Sequence, residues 1–291
     1  LQSLFVEVGF GELYLVEGKE KKNMSNKLRI LALGAGVQST TLALMIEKGE
    51  VPMVDAAIFS DTMAEPRRVY LHLDWLETQL SYPIYRVSKG NLKQDTIDAI
   101  NNNTRVAMSP FFTRNRETGK KGIMMRQCTY DYKIAPLIKE IRRLLGVGYR
   151  KRVPKDAHIN QLFGISSDEV SRMRTAPKKY LTYTYPLVDL KMSRQDCLNW
   201  MEKNNYPKPP RSACTFCPFH SNQEWKYIKE DKQEWEEVIA FDKKIREGWG
   251  KVDAQLYLHK SGKPIDEVDF EETKDDQLNL FENECEGQCG I

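Results

Sequence analysis

Short apolar runs alternate with helix-like patterns in the first two thirds of the chain. Leu28–Leu33 is apolar enough for a buried parallel strand, and a glycine-bearing turn follows it. Apolar residues at helical spacing then continue to Gly49. Val54–Phe59 and Ala157–Phe163 are two further strand-like runs. This order predicts an α/β fold, with a mostly parallel sheet of about five strands flanked by helices over roughly residues 28–190.

The rest of the chain divides into a leader and a C-terminal extension. Residues 1–27 are expected to be a leader that is disordered or comes from an over-extended reading frame, since Met24 lies just before the first strand. Residues 28–190 form the predicted nucleotide-binding domain. Residues 191–291 are expected to be a helical, cysteine-bearing region that packs on the site, with a helical stretch over Asn222–Arg246.

The turn after the first strand is a candidate anion site. Strand, turn and helix in this order direct backbone N–H groups and the positive end of a helix dipole to one place, where phosphate or sulfate binds. The turn has neither the Gly-Lys-Ser/Thr of a Walker loop nor the third glycine of a dinucleotide motif. The alternative is that its glycines only make the bend. The candidate residues are Gly34, Ala35, Gly36, Gln38, Ser39 and Thr40.

Polar residues also follow the second strand. Asp61, Thr62 and Glu65 come just after Val54–Phe59, and residues beyond the carboxyl ends of parallel strands face the ligand crevice. They are therefore candidates to contact a nucleotide or its metal, with Mg²⁺ as the candidate ion. The alternative for Asp61 is that it caps the helix that begins at Arg67.

These two segments together resemble a known family. Gly34–Ser39 followed by Asp61-Thr62-x-x-Glu65-Pro66 is similar to the phosphoadenosine phosphosulfate (PAPS) reductase family, within the superfamily of adenine nucleotide alpha hydrolases and ATP pyrophosphatases. Gln38 fits the reductase branch, because the pyrophosphatases have an aspartate there. The resemblance implies a Rossmann-like fold and an adenine nucleotide (PAPS, APS or ATP) as ligand.

A later loop extends the resemblance. Gly164–Arg172 is similar to the family's second anion-binding loop. It implies that Ser167, Arg172 and Arg174 complete the pocket, and arginine suits bidentate recognition of phosphate or sulfate. The alternative is that Asp168 and Glu169 simply pair with the arginines.

The chain has six cysteines and no secretory segment, so metal binding or redox chemistry is favoured over a disulfide scaffold. Cys214 and Cys217 form a CxxC between prolines, and Cys197 fits a buried apolar position. Cys128 begins a segment similar to the Cys…Lys-x-x-Pro-Leu element of adenylyl-sulfate (APS) reductases, which bind a [4Fe–4S] cluster. Gln127 stands where those enzymes have a second cysteine.

The resemblance thus implies three ligands, Cys128, Cys214 and Cys217, for a [4Fe–4S] cluster or for zinc. Cys285, Cys289 or His220 is the candidate fourth ligand. Glu284-Cys285 is also similar to the C-terminal tail of PAPS reductases, whose thiolate attacks the sulfonyl sulfur, so Cys285 and Cys289 are the predicted catalytic residues. Cys285 cannot serve as a permanent cluster ligand and as a swinging nucleophile at once.

Composition and charge restrict the possible partners. With 291 residues, 41% hydrophobic and 29% charged, the chain is typical of a soluble globular protein, expected in the cytoplasm and away from membranes. Residues 105–152 hold thirteen Lys or Arg against three Asp or Glu, and residues 264–286 hold ten acids against one Lys. The basic stretch fits a small phosphorylated or sulfated substrate, a solvated surface or a nucleic acid, and we favour the first two.

Three functions are compatible with these features. The first is thiol-dependent reduction of PAPS or APS, served by a thiol-redox protein, which Gln38 and the Glu-Cys tail favour. The second is ATP-dependent sulfur transfer to DNA or tRNA with a sulfur-donor protein, which the basic stretch and clustered cysteines favour. The third is a non-catalytic regulator that binds a nucleotide, which the departures at Gln38 and Gln127 favour.

Overall fold

A computed structural model of the chain describes residues 26–148 and 150–271. Residues 1–25 of the predicted leader and the two C-terminal cysteines therefore lie outside the described residues, whereas Lys27, the last residue of that leader, already belongs to β1. The strands are β1 Lys27–Leu33, β2 Ala56–Asp61, β3 Ile84–Ser88, β4 Phe112–Asn115, β5 Lys121–Ile123, β6 His158–Phe163, β7 Leu181–Thr184 and β8 Ala254–Tyr257. The helices are α1 Val37–Glu47, α2 Arg67–Gln79, α3 Leu92–Asn101, α4 Ala135–Leu144, α5 Pro186–Asp189, α6 Arg194–Lys203, α7 Asn222–Glu230 and α8 Lys232–Arg246.

Five strands form a parallel sheet in the order β3-β2-β1-β6-β7. The prediction of a Rossmann-like sheet of about five strands flanked by helices is thereby confirmed. Leu33 pairs with Phe59 of β2, and Ala32 pairs with Phe163 of β6. The carboxyl ends of β1, β2 and β6 therefore lie side by side. The strand order changes direction between β1 and β6, which is the place where open α/β sheets bind ligands.

Both faces of this sheet are covered. On one face, Leu31 and Leu33 of β1 pack in a core with residues of α1, α2 and α6. On the other face, Ile30 and Ala32 pack in a core with residues of α4. Alternate residues of β1 are thus buried on opposite sides, which explains why the strand reads as one continuous apolar run.

A second, three-stranded antiparallel sheet has the order β5-β4-β8. Its residues and those of α3, α7 and α8 form a separate core that includes Phe111, Phe216 and Trp225. Within residues 191–271, the C-terminal region supplies the helices α6, α7 and α8 and also β8. Strands of three or four residues are too short to produce a recognisable period in the sequence.

The predicted helical stretch over Asn222–Arg246 consists of two helices, α7 and α8, which meet at Asp231. Asp231 ends α7 and caps α8, since its Oδ1 accepts hydrogen bonds from the N–H groups of Gln233 and Glu234. Across the described ranges, no helix combines the length and the apolar character that a membrane span requires.

Candidate functional site

The turn after β1 is a tight loop closed by its own serine. Ser39 Oγ accepts hydrogen bonds from the backbone N–H groups of Gly34 (3.2 Å) and Gly36 (3.3 Å). Ala35 has a left-handed backbone, with φ of 59°. Gln38, Ser39 and Thr40 are all buried at the start of α1. The loop thus holds a fixed shape at the N-terminus of a helix, as an anion site requires.

The loop after β6 packs directly against this turn. A Cβ atom at Gly164 would lie 2.6 Å from both the backbone N and the Cα of Ser39. The side chain of Gln38 donates from Nε2 to Ser166 Oγ at 3.3 Å. The two predicted anion-binding loops therefore meet at the switch point, and the absent side chain of Gly164 makes their approach possible.

The residues after β2 are held by local hydrogen bonds. The Asp61 carboxylate accepts hydrogen bonds from the Met63 N–H (2.7 Å) and the Tyr70 hydroxyl (2.9 Å). Pro66, and not Asp61, stands at the N-cap of α2, so the capping alternative for Asp61 is wrong. Burial and the neighbouring Asp61 carboxylate raise the pKa of Tyr70 far above its usual value, so this phenol stays protonated as a donor.

Glu65 forms a buried ion pair that the sequence did not reveal. Its carboxylate lies 3.3 Å from Lys133 Nζ, and the side chains are 0% and 8% exposed. Ser212 Oγ donates to the second carboxylate oxygen at 3.4 Å. The pair joins the segment after β2 to the segment that contains Cys128. In the sequence, Lys133 stands out only as part of the motif that begins at Cys128, because nothing there couples Lys133 to Glu65.

Three of the predicted ligands come together. Cys128, Cys214 and Cys217 line one cavity of about 20 Å³, together with Thr62 and Lys133. Thr62 Oγ1 and Cys214 Sγ are hydrogen bonded at 3.1 Å. Burial, followed by the charge of Glu65, raises the pKa of the Cys214 thiol, while Lys133 and the Thr62 hydrogen bond oppose this shift. Thr62 directly follows β2, so Cys214 of the C-terminal region lies beside the carboxyl end of that strand.

The cavity holds part of the predicted metal site. Its volume suits a species about the size of one water molecule, whereas a cubane of four irons and four sulfides is several times larger. Within residues 26–148 and 150–271, no set of three or more Cys, His, Asp or Glu side chains is placed to hold a metal ion. A fourth thiolate would have to come from Cys285 or Cys289, which lie outside the described residues. The [4Fe–4S] cluster and zinc remain predictions.

His220 contacts the backbone of the Cys214–Cys217 turn. Its Nε2 donates to the backbone carbonyl of Cys214 at 2.8 Å, because a carbonyl only accepts. Burial, helped by nearby Arg211, lowers the pKa of His220 to about 3, so the ring is neutral. In this position His220 supports the CxxC turn. Cys197 is fully buried in the core beside α1, as its apolar surroundings predicted.

The predicted arginines follow Ser167 in a short 3₁₀ turn, Ser167–Arg172. The Arg172 guanidinium pairs with Glu169, and both side chains are buried. Arg174 Nη1 donates to the carbonyls of Ser171 and Met173. Asp168 accepts from the N–H of Arg194 rather than pairing with an arginine side chain. The described contacts thus match the alternative in which Arg172 forms an ion pair with an acidic neighbour. A role in binding an anion stays a prediction for Ser167, Arg172 and Arg174.

The segment Arg126–Thr129 separates two spaces. The cysteine cavity lies on one side, and a wide cleft of about 860 Å³, which Gln127 also lines, lies on the other. Exposed Met125 and Tyr130 stand at this cleft. Its lining comes mainly from α3, from residues 104–107 after that helix and from residues 125–132 after β5. No periodic pattern in the sequence indicates that these segments enclose a cleft.

The basic stretch does not form one surface. Its first part supplies β4, β5 and the wall of the wide cleft, near the cysteines. α4 then carries the chain to the amino end of β6, where Arg142 Nη2 donates to the carbonyls of Gly148 and Lys151. The residues around Arg142 therefore lie at the edge of the sheet opposite the candidate site.

Comparison with known proteins finds a loose likeness between the chain and solved structures. No protein-family model matches the chain, and no curated protein matches it. A solved structure that it resembles is phosphoadenylyl-sulfate (PAPS) reductase from Candida auris, as a phosphate complex. The identity is 13% and the TM-score 0.39, over 64% of this chain and 75% of that chain. A likeness at this level concerns the fold and assigns no role to any residue.

Proposed function

We propose that the chain is an adenine-nucleotide-dependent enzyme of the PAPS reductase type, which reduces PAPS or APS to sulfite with cysteine thiols. One observation carries the proposal: three cysteines line a cavity at the same sheet edge as the two loops that meet at the switch point. A nucleotide phosphate or sulfonate at those loops would lie next to the sulfur atoms.

Each part of the site has a role in this reaction. The loops Gly34–Thr40 and Gly164–Ser166 bind and orient the phosphate and sulfonate oxygens. Thr62 holds Cys214 by its hydrogen bond. The Lys133–Glu65 pair fixes the segment that carries Cys128. A resident iron–sulfur cluster, if bound by Cys128, Cys214 and Cys217, would supply charge stabilisation and redox capacity beside the nucleotide.

The chemical step is a transfer between sulfurs. A cysteine thiolate attacks the sulfonate sulfur, an S–S bond forms, and the S–O bond to the phosphate breaks with its electron pair leaving on the nucleotide. A second thiolate then attacks the cysteine sulfur, so that a disulfide forms and sulfite leaves. Cys285 and Cys289 remain the proposed source of the attacking thiolate, and an external dithiol restores the thiols.

Sulfur transfer to a nucleic acid is the second candidate. Cys128, Cys214 and Cys217 line one cavity, and residues of the basic stretch line the wide cleft beside it. In this reaction ATP activates an oxygen of the acceptor and pyrophosphate leaves. A sulfur donor then replaces the activated oxygen.

Product analysis separates these functions. The protein is incubated anaerobically with dithiothreitol and, in separate reactions, PAPS, APS or ATP with tRNA or DNA. Sulfite release from PAPS or APS supports the proposal, and pyrophosphate release that depends on a nucleic acid supports the second candidate. Nucleotide binding without any product would identify a non-catalytic regulator and refute both enzymatic functions.

A further inference from the structure

A basic groove lies beside β7, the edge strand of the parallel sheet. Its volume is about 450 Å³, and residues 174–179 and the first three residues of β7 line it. Every charged side chain in this lining is a cation, and hydroxyl groups accompany the cations. The cations are Arg174, Lys178 and Lys179, and the hydroxyl groups belong to Thr175, Thr182 and Tyr183. Cations and hydroxyl donors on one surface suit the oxygens of phosphate groups.

The loop before β6 adds cations next to this groove. β6 and β7 are parallel neighbours, and the Ile159 N–H donates to the Tyr180 carbonyl at 2.8 Å. Each strand follows a tight turn, 154–157 before β6 and 178–181 before β7. Because paired strands lie about 4.8 Å apart, the two turns stand side by side at the amino end of the sheet. The exposed cations on these turns and just before the first one are Lys151, Arg152, Lys155, Lys178 and Lys179.

The charge of these five side chains is not neutralised by the described part of the chain, where none of them forms an ion pair. Asp156 is the one acidic residue in the sequence range 141–167, and its carboxylate accepts a hydrogen bond from Asn26 Nδ2 at 2.7 Å. Glu169 is already paired with Arg172. The positive charge of the two turns is therefore available to a partner.

The wide cleft near the cysteines is a poorer match for a polyanion. Its lining contains as many acids as cations, namely Asp95, Asp98 and Asp131 with Lys89, Arg105 and Arg126. Lys89 also pairs with Asp131. The basic groove beside β7 therefore has the stronger positive field.

We propose that the basic groove and the turn before β6 bind the phosphate backbone of a nucleic acid. Lysine and arginine contacts to phosphates release condensed counterions and do not depend on the base sequence. A membrane surface fits less well, because proteins that bind there also insert apolar side chains. Within residues 150–156 and 175–182, no large apolar side chain is exposed. The inference goes beyond the proposed function and does not depend on which reaction the cysteines perform.

The test is a fluorescence-anisotropy titration of the full chain into a labelled DNA of about 20 nucleotides, single-stranded and as a duplex, at several salt concentrations. Lys178→Gln/Lys179→Gln should bind about tenfold more weakly. Its slope of log affinity against log salt should become shallower by about 1.4 for the single strand, since each lost phosphate contact removes about 0.7. Lys151→Gln/Arg152→Gln should weaken binding similarly, and Lys178→Arg/Lys179→Arg, which keeps both charges, should bind like wild type.

Lys120→Gln/Lys121→Gln is the matched control, because it removes the same charge from exposed residues at β5, in the basic stretch near the cysteines. Its affinity should stay within about twofold of wild type. An equal loss in this control would mean that only net charge matters and would overturn the inference. So would a wild type that binds neither form of DNA, or a Lys178→Gln/Lys179→Gln variant that binds like wild type.

Competition identifies the class of partner. Phosphatidylserine vesicles or polyglutamate that displace the DNA at equal charge concentration would overturn the assignment to a nucleic acid. Thermal unfolding verifies that each variant is folded. Sulfite release from PAPS or APS should be the same in wild type and in Lys178→Gln/Lys179→Gln. A wild type that binds DNA but releases no sulfite would refute the proposed function and leave this inference standing.

Discussion

The buried pair of Lys133 and Glu65 gives a prediction whose size follows from its burial. Lys133→Met removes the ammonium that pairs with a carboxylate whose side chain is 0% exposed. Breaking one side of a buried ion pair costs roughly 3–5 kcal/mol in the free energy of unfolding. For a chain of this size, that corresponds to a fall in Tm on the order of 10 °C. The Lys133→Met/Glu65→Gln double variant should recover much of the loss, because no unpaired charge remains.

Urea unfolding, followed by circular dichroism, measures these free energies. Lys89→Met is the matched control. Lys89 also pairs with a carboxylate, that of Asp131, but both side chains of this pair are 41% exposed. An exposed pair of this kind contributes about 0–1 kcal/mol. The reasoning is refuted if Lys133→Met unfolds within about 1 kcal/mol of wild type, or if the double variant is no more stable than the single one.

Three further predictions concern the loops, the histidines and the cysteines. Gly164→Ala should lower the free energy of unfolding by about 1–3 kcal/mol and weaken nucleotide binding, because the added Cβ would meet the Ser39 backbone. Gly148→Ala is its control, since a Cβ there meets only a lysine side chain at 3.6 Å. Equal unfolding free energies for the two variants would contradict this prediction. Burial lowers the pKa of His72 and of His259 to about 4. Below pH 6.5 the unfolded chain therefore binds more protons than the folded one. The free energy of unfolding should fall from pH 7 to pH 5, by up to about 1.4 kcal/mol per pH unit for each ring. Urea titrations at both pH values should show a smaller fall for His72→Gln/His259→Gln, and an unchanged fall would exclude these rings as the cause. Anaerobically purified protein should contain either about four irons with sulfide or about one zinc. The variants Cys214→Ser and Cys217→Ser should lose this metal, and Cys197→Ser should keep it. Elemental analysis that finds no metal in the wild type would contradict both predicted cofactors.

Features carried by regular patterns were predictable from the sequence. The continuous apolar run of β1 and the strand–turn–helix order specify a parallel sheet, because a strand buried on both faces has few polar positions. The same order places Gly34–Thr40 and Asp61 at one edge. The CxxC spacing of Cys214 and Cys217 identifies a turn with two candidate metal ligands, whatever the fold around it.

Features that depend on distant contacts were not predictable. Lys133 and Glu65 are 68 residues apart, and each is an ordinary charged residue in its own segment. The pairing of β4 with β8 joins residues such as Thr113 and Leu256, far apart in the chain, through strands too short to show a period. The partner of Arg172 also depends on local geometry, since Glu169 and Asp168 were equally available in the sequence and only Glu169 forms the pair.

Cys128 and Cys214 belong to a different core from the predicted anion-binding loops. The two cysteines pack against the core around Phe111 and Trp225, while the loops belong to the sheet. The two cores are joined by the Glu65–Lys133 pair, the Thr62–Cys214 hydrogen bond and a backbone hydrogen bond from the Thr215 N–H to the Ala64 carbonyl. If a nucleotide binds at the loops as proposed, these contacts set its distance from the cysteine sulfurs. A repacking substitution deep in either core would then change that distance without replacing any residue that touches the nucleotide.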